Sequence, residues 1–316
     1  MSVTVLIIDT FAGAYRERLL DRFSSLTVHI ARDASSIDCD LATVDVLVAF
    51  GIAINDDLIA RCTSLKWVQS LATGIDHFLR CPHLMHNTLL TSARGIHGAP
   101  MRETVAWLML SSARDALRIA RNQDSAKWDR GQPWSLLDGK TATIVGIGVS
   151  TTAIAKLLNA FGMTTLGVTR TVRPVEGFDE VLPAEDLLAA TARADYLINV
   201  LPSSIENKNR IDASVFAAMK ASARFINVGR GDTVDETALV EALEASRIAG
   251  AALDVFQSGT LASTSPLWHI RNVIISPHVA GFVKEYEALV TPILLDNMQR
   301  FLSNDISAMR NIVMRT

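Results

Sequence analysis

The feature that most constrains this chain is a strand-like run, Thr141 to Val145, that passes directly into Gly146-Ile147-Gly148 and then into a helix-like segment, Thr152 to Phe161. The first glycine permits a tight strand-to-helix turn, and the second lets a phosphate-bearing ligand approach the backbone. The helix N-terminus then presents unpaired N–H groups to the negative charge. A glycine pair alone occurs in ordinary turns; a strand before it and a helix after it are the context that makes it a dinucleotide loop. The expected contacts are Gly146, Gly148, Val149 and Ser150. The third glycine of the pattern is absent, and Thr151 stands there. That glycine normally allows close helix–strand packing, so the expectation is a slightly displaced helix with binding retained.

The end of the next strand reads Gly167-Val168-Thr169-Arg170-Thr171-Val172-Arg173. About 20 residues after the glycine loop, an NAD site would place Asp or Glu to take the ribose hydroxyls. No carboxylate is present. Arg170 and Arg173, with the hydroxyls of Thr169 and Thr171, are instead suited to a 2′-phosphate. The expectation is NADP(H) over NAD(H), against the plainer reading of two solvated surface arginines.

Strand-like and helix-length segments alternate along the whole chain, the rhythm of βαβ units and mostly parallel sheets. Val3–Ile8, Leu26–Ala31, Val46–Phe50, Trp67–Leu71 and a weaker Thr88–Thr91 read as a first set of strands, with a helix at Ala14–Phe23. From Pro100 to about Arg121 the apolar spacing fits one long helix, and proline suits its first turn. A second set follows: Thr141–Val145, Thr165–Thr169, Tyr196–Val200, Arg224–Val228, Gly250–Leu253 and Val273–Ile275, then a final helix Lys284–Leu302. No repeat, low-complexity tract or flexible linker interrupts them.

The 316 residues carry a formal charge of −3 with no charge blocks, which argues against a nucleic-acid or polybasic membrane surface. No run approaches the roughly 20 apolar residues of a membrane span. The N-terminus lacks a basic segment and a cleavage site and reads as a strand. Cys39, Cys62 and Cys81 have no metal-ligand spacing and point to a reducing compartment, hence a cytoplasmic protein without a metal.

Beyond the glycine loop, several stretches occur together in one order. They are Leu71-Ala72-Thr73-Gly74-Ile75-Asp76-His77, Asn199-Val200-Leu201-Pro202, Phe225-Ile226-Asn227-Val228-Gly229-Arg230-Gly231, Ala252-Leu253-Asp254-Val255-Phe256, Ser265-Pro266-Leu267-Trp268 and Ser276-Pro277-His278-Val279-Ala280-Gly281. In these the chain resembles the D-isomer-specific 2-hydroxyacid dehydrogenases, nearest the glyoxylate/hydroxypyruvate reductase branch, from about residue 70 to 282. The Arg-Gly and Pro-His-x-Ala-Gly motifs are the specific part. The Tyr-x-x-x-Lys pair of short-chain reductases, which share the cofactor fold, is absent.

The resemblance implies two doubly wound parallel-sheet α/β domains. A Rossmann dinucleotide domain, 99–282, is inserted in a flavodoxin-like substrate domain made of 1–98 and 283–316. It implies reduction of a small 2-oxo acid to the D-2-hydroxy acid, and a homodimer in which the helix from Pro100, with Trp107 and Met109, is a plausible contact unless it is simply buried in the core. Such a reduction needs a hydride donor, an acid for the oxygen, and cationic or N–H groups for the carboxylate and ketone. Arg230 matches the family's substrate arginine and His278 its proton donor, a role that suits histidine as a residue type. Backbone N–H groups of Thr73, Gly74 and Ile75 match the carboxylate-binding loop. Asp254 matches the contact to the nicotinamide carboxamide. Leu201 and Pro202 fall on the adenine side, and Gly281 among the cofactor contacts.

One departure stands out. The family partners its histidine with a glutamate in Asp-Val-Phe-x-x-Glu-Pro-Leu. Here the stretch runs Asp254-Val255-Phe256-Gln257-Ser258-Gly259-Thr260-Leu261, so Gly259 replaces the glutamate. A carboxylate beside a histidine stabilises imidazolium and fixes the tautomer. Three readings stay open: a reductase with reduced or acid-shifted activity, one whose carboxylate comes from Glu285 or Glu287, and a non-catalytic NADP-binding regulatory protein. Retention of both Arg230 and His278 argues against the last.

Overall fold

The computed structural model describes residues 2–84, 88–131 and 134–313. The chain divides into two compact units, Met1–Ile96 with Lys284–Thr316, and His97–Val283.

The first unit begins with β1 (Thr4–Ile8), α1 (Ala12–Arg22), β2 (Thr27–Ala31), β3 (Val46–Ala49), α2 (Asp56–Arg61), β4 (Trp67–Ser70), α3 (Asp76–Leu79) and β5 (Leu89–Thr91). Its five strands pair in the order β2-β1-β3-β4-β5, all parallel. This is the flavodoxin-like doubly wound order. Val5 to Ile8 and Val46 to Ala49 are completely buried, as expected of strands covered on both faces.

The second unit holds α4 (Gly98–Ala113), α5 (Ala116–Asp124), β6 (Thr141–Val145), α6 (Val149–Ala160), β7 (Thr164–Thr169), β8 (Glu180–Pro183), α7 (Leu187–Arg193), β9 (Tyr196–Asn199), α8 (Ala213–Ala218), β10 (Arg224–Asn227), α9 (Glu236–Glu244), β11 (Gly250–Leu253) and β12 (Val273–Ile275). Its seven strands run β12-β11-β10-β9-β6-β7-β8, again all parallel. Counted within the unit, the order reverses between β6 and β9, the switch point of a Rossmann sheet. The chain then returns to the first unit as α10 (Tyr286–Leu302).

Both sheets and their parallel sense match the sequence rhythm, but two elements differ. The long helix expected from Pro100 to Arg121 is two helices, because Asp115 adopts φ 51° between them. Asp tolerates this left-handed conformation better than most residues. Its carbonyl then accepts the Arg118 and Ile119 N–H groups, which restarts the helix. Met109, offered above as a dimer contact, is fully buried in its own unit; Trp107 is half exposed. The edge strand β8 was not expected. It is only half buried and contains Glu180 and Pro183, and at an edge a proline costs no ladder bond.

α10 is tied to its sheet by a buried polar chain. Trp67 Nε1 donates to Thr91 Oγ1 at 2.8 Å, Thr91 Oγ1 donates to Gln69 Oε1 at 2.8 Å, and Asn297 Nδ2 donates to the same oxygen at 3.0 Å. Satisfied networks of this kind fix one arrangement, whereas a broken one would leave buried groups unpaired. No helix of the described residues is long and apolar enough to cross a membrane.

Candidate active site

Because every strand of the second sheet is parallel, the segments that follow the strands emerge along one edge. The glycine turn follows β6, Thr169 ends β7 with Arg170 to Arg173 after it, and Leu201-Pro202 follow β9. Arg230 follows β10, Asp254 follows β11, and His278 and Gly281 follow β12. The carboxyl edge near a switch point is where open α/β sheets bind ligands.

At the glycine turn, Gly146 has φ 96° and its N–H donates to Val168 O at 2.9 Å. α6 starts at Val149, so the Val149 and Ser150 N–H groups lie in the first turn and have no intrahelical acceptor. Thr151, in place of the third glycine, is buried. Its Oγ1 accepts the Gly148 N–H at 2.9 Å and donates to the Gly148 carbonyl at 2.8 Å. The threonine thus closes the turn locally. Arg170 and Arg173 are exposed. Arg170 also contributes to holding the nearby Glu206 carboxyl below its usual range, after that residue's own backbone N–H and Ser204.

The Arg230 segment is held by the side chains of Asn199, Asn227 and Thr233. Asn199 Nδ2 donates to Asn227 Oδ1 at 2.9 Å and to Thr233 Oγ1 at 2.7 Å. Thr233 Oγ1 donates to the Arg230 carbonyl at 2.6 Å, and Asn227 Oδ1 accepts the Gly229 N–H at 3.2 Å. The flanking glycines are required by close approach. A Cβ on Gly229 would stand 2.7 Å from the Leu201 carbonyl oxygen, and one on Gly231 would stand 1.9 Å from that of Phe256. Arg230 itself is half buried, and its Nη1 donates to Gly229 O at 3.0 Å.

Asp254 organises the histidine loop. It is 1% exposed. Its Oδ1 accepts the Ser276 hydroxyl at 2.6 Å and the Val279 N–H at 2.9 Å, and its Oδ2 accepts the Ala280 N–H at 3.0 Å. Its carbonyl accepts the His278 N–H at 2.8 Å. His278 is exposed and sits at φ 56°, a conformation uncommon for a residue with a side chain. With three bonds made, the carboxylate keeps one acceptor position on Oδ2.

A second histidine, not singled out from the sequence, belongs to this edge. His97 immediately precedes α4, and a Cβ on Gly281 would stand 2.6 Å from its Cδ2. The Cδ2–Nε2 edge of the imidazole therefore abuts Gly281. Burial, reinforced by the Arg230 cation, pushes its pKa down to about 4. A lone histidine gives no sequence signal for such a role.

The segment lacking the glutamate is exposed from Gln257 to Thr260, and Gly259 has φ 82° with open space at its Cβ position. Glu236 reaches this segment: its Oε2 accepts the Gln257 N–H at 3.1 Å. Glu287 accepts the Thr291 hydroxyl at 2.6 Å within α10.

In the other unit, Thr73, Gly74 and Ile75 follow β4 and lead into α3. Among the described residues, no hydrogen bond engages the Gly74 or Ile75 N–H. The preceding Leu71 carbonyl accepts the buried Tyr286 hydroxyl at 2.9 Å. Phe50, just after β3, packs on Tyr286 with ring centroids 5.4 Å apart. Among the described residues no His, Cys, Asp and Glu cluster could hold a metal.

Two cavities, of about 570 and 920 Å³, border α5, Gly131 and Trp134. The first reaches Arg224 and Asn272, at the amino ends of β10 and β12, the opposite edge from the glycine turn.

The model of the NAD-binding domain of D-isomer-specific 2-hydroxyacid dehydrogenases matches residues 106–280. A glyoxylate/hydroxypyruvate reductase B of Klebsiella pneumoniae is 31% identical over 97% of both chains. Among solved structures, a D-isomer-specific 2-hydroxyacid dehydrogenase family protein of Aeromonas salmonicida superposes with a TM-score of 0.91 at 31% identity, covering 99% of each chain. An NADPH-dependent glyoxylate/hydroxypyruvate reductase of Sinorhizobium meliloti, solved with NADP and sulfate, gives 0.84 at 28% identity over 99% of this chain and 98% of its own. Fold, ordered motifs and likeness agree: the chain belongs to the D-isomer-specific 2-hydroxyacid dehydrogenases, a family of NAD(P)-dependent oxidoreductases.

Proposed function

We propose that this protein uses NADPH to reduce a small 2-oxo acid, of the glyoxylate or hydroxypyruvate kind, to the D-2-hydroxy acid. The observation that carries the proposal is the gathering of the glycine turn, Arg230 and His278 along one edge of one parallel sheet.

The residues present fit the cofactor. First-turn N–H groups of α6 at Val149 and Ser150, beside Gly146 and Gly148, are donors for a pyrophosphate. Arg170 and Arg173, with Thr169 and Thr171, are the donors for a 2′-phosphate and the reason to prefer NADP(H) over NAD(H). The Sinorhizobium relative bound to NADP supports that preference by analogy. Leu201 and Pro202 would line the adenine side, and Asp254, through its remaining acceptor position, would hold the nicotinamide carboxamide, with Gly281 as a further cofactor contact. When bound, the reduced nicotinamide supplies the hydride to the ketone carbon.

Arg230 grips the substrate with a planar fork that suits both carboxylate and ketone oxygens, and polarises the carbonyl. Thr73, Gly74 and Ile75 serve as carboxylate-binding N–H donors. His278 gives its proton to the ketone oxygen and is left neutral, to be reprotonated from water. Gly259 leaves this histidine without the family's carboxylate, so activity is reduced or shifted to lower pH. The same glycine favours one competitor, a protein that binds NADPH and reports it without turnover. We further assign the protein to the cytoplasm as a homodimer, with exposed Trp107, Trp128 and Trp134 as candidate contact residues.

The test is NADPH oxidation with glyoxylate, hydroxypyruvate and longer 2-oxo acids between about pH 5 and 8. Turnover that improves toward the acid end supports the reading. Tight NADPH binding with no turnover of any acid replaces it with the cofactor-sensing one.

A further inference from the structure

We propose that His97 is a positioning residue of the reductase site, holding Arg230 and the His278 loop in fixed relation by bracing the Gly281 backbone. The inference rests on the reductase reading above and adds a residue to it.

The brace has three anchors. The His97 carbonyl accepts the Met101 N–H at 3.1 Å, which fixes its backbone at the start of α4. The next residue, Gly98, lies against α6: a Cβ there would be 3.6 Å from that of Ala153. α4 and α6 pack along their length through Val105, Leu108, Met109, Ile154 and Leu158 in one core cluster. His97 therefore cannot shift without disturbing the helix that carries the dinucleotide turn. On its far side the imidazole meets Gly281, three residues after His278, so closely that only glycine leaves room.

The electrostatics suit the role. An imidazole that protonated at working pH would set a second cation beside Arg230. Burial and that same guanidinium keep it neutral down to about pH 4. His97 can thus stand next to the substrate arginine without repelling it or competing for the substrate carboxylate. The chemistry needs Arg230 and His278 on the same carbonyl group, and a misplacement of about 1 Å can cost on the order of a hundredfold in rate.

A double-mutant cycle tests this: His97→Ala, Gly281→Ala, the double variant, and His97→Asn as the conservative replacement. kcat and KM for glyoxylate are measured at saturating NADPH, with NADPH Kd and Tm alongside. The expected result is a loss of about tenfold or more in kcat/KM for His97→Ala, mostly in kcat, with NADPH Kd changed less than about twofold. Gly281→Ala should lose a similar amount. The double variant should be about as active as the worse single one, because the added methyl has no imidazole to displace. His97→Asn should recover part of the loss.

Unchanged kcat/KM in His97→Ala, or losses that multiply in the double variant, overturns the proposal. Multiplying losses accompanied by weakened NADPH binding overturn it too, and assign Gly281 to cofactor approach alone. A wild-type protein that turns over no 2-oxo acid refutes the reductase reading instead. Oxalate affinity of the NADPH-bound protein then decides on His97: about tenfold weaker binding in His97→Ala supports the brace, and equal binding refutes it.

Discussion

Burial of His97 makes the second unit acid-sensitive in a way one substitution should remove. Burial, with the Arg230 cation, pushes its imidazole pKa down to about 4 in the folded protein, against about 6.5 for a free histidine. A histidine with a depressed folded pKa binds fewer protons when folded than when unfolded. Its contribution to stability is therefore complete above about pH 6.5 and is lost as the pH falls toward 4. At pH 5 the unfolded imidazole is almost fully protonated, whereas the folded one is about one-tenth protonated. That difference is worth about 2 kcal/mol, and the full shift of about 2.5 units about 3 kcal/mol. With a urea slope of about 2 kcal/mol per molar, the midpoint should move by about 1 M. The assay is urea unfolding of wild type and His97→Asn at about pH 7.5 and pH 5, following the transition of the unit His97–Val283. The wild-type midpoint should fall by about 1 M more than that of the variant. Parallel pH dependence in the two proteins would refute the assignment, because the excess must disappear with the imidazole.

Three further outcomes are expected. Arg170→Ala with Arg173→Ala should weaken NADPH by about 10- to 100-fold, since a hydrogen bond to a charged group contributes about 1.5–3 kcal/mol and these side chains are exposed. NADH binding should hardly change, and equal losses for both cofactors in a fluorescence titration would refute the phosphate assignment. Asp254→Asn should lower Tm by roughly 5–10 °C and depress kcat, because an amide cannot accept from both sides of the loop, and about 2–3 kcal/mol of pairing is lost. An unchanged Tm would contradict the role given to that carboxylate. Gly259→Glu has room for its Cβ but places a side chain at φ 82°, costing about 1–2 kcal/mol. The pH–rate profile should nevertheless gain a higher optimum and faster turnover; a slower enzyme at every pH would show that a carboxylate at this position does not serve His278.

Much of the architecture was legible because strands covered on both faces read as unbroken apolar runs. Val5 to Ile8, Val46 to Ala49 and Gly250 to Leu253 are of this kind. β8 escaped because a half-buried edge with Glu180 and Pro183 carries neither alternation nor an apolar run. Helix periodicity could not reveal the break at Asp115, since apolar residues continue in phase on both sides of one left-handed residue. At the site, the ordered motifs singled out Arg230 and His278, which follow β10 and β12. They gave no hint that Asn199, Asn227 and Thr233 form a connected set, because their partners are far apart in sequence. His97 was invisible for the same reason: its meaning depends on Gly281, far along the chain.

The Asp254 carboxylate has a kinetic consequence. Its bonds to Ser276, Val279 and Ala280, with the backbone bond to His278, join the end of β11 to the segment after β12. A loop fastened this way has no independent opening route, since releasing it exposes a buried carboxylate. Hydrogen-exchange protection of the Val279 and Ala280 amides should therefore approach that of the sheet interior, well above that of a surface loop. Heat should then free the His278 segment only as the whole unit melts, because that segment and the sheet edge are one cooperative block.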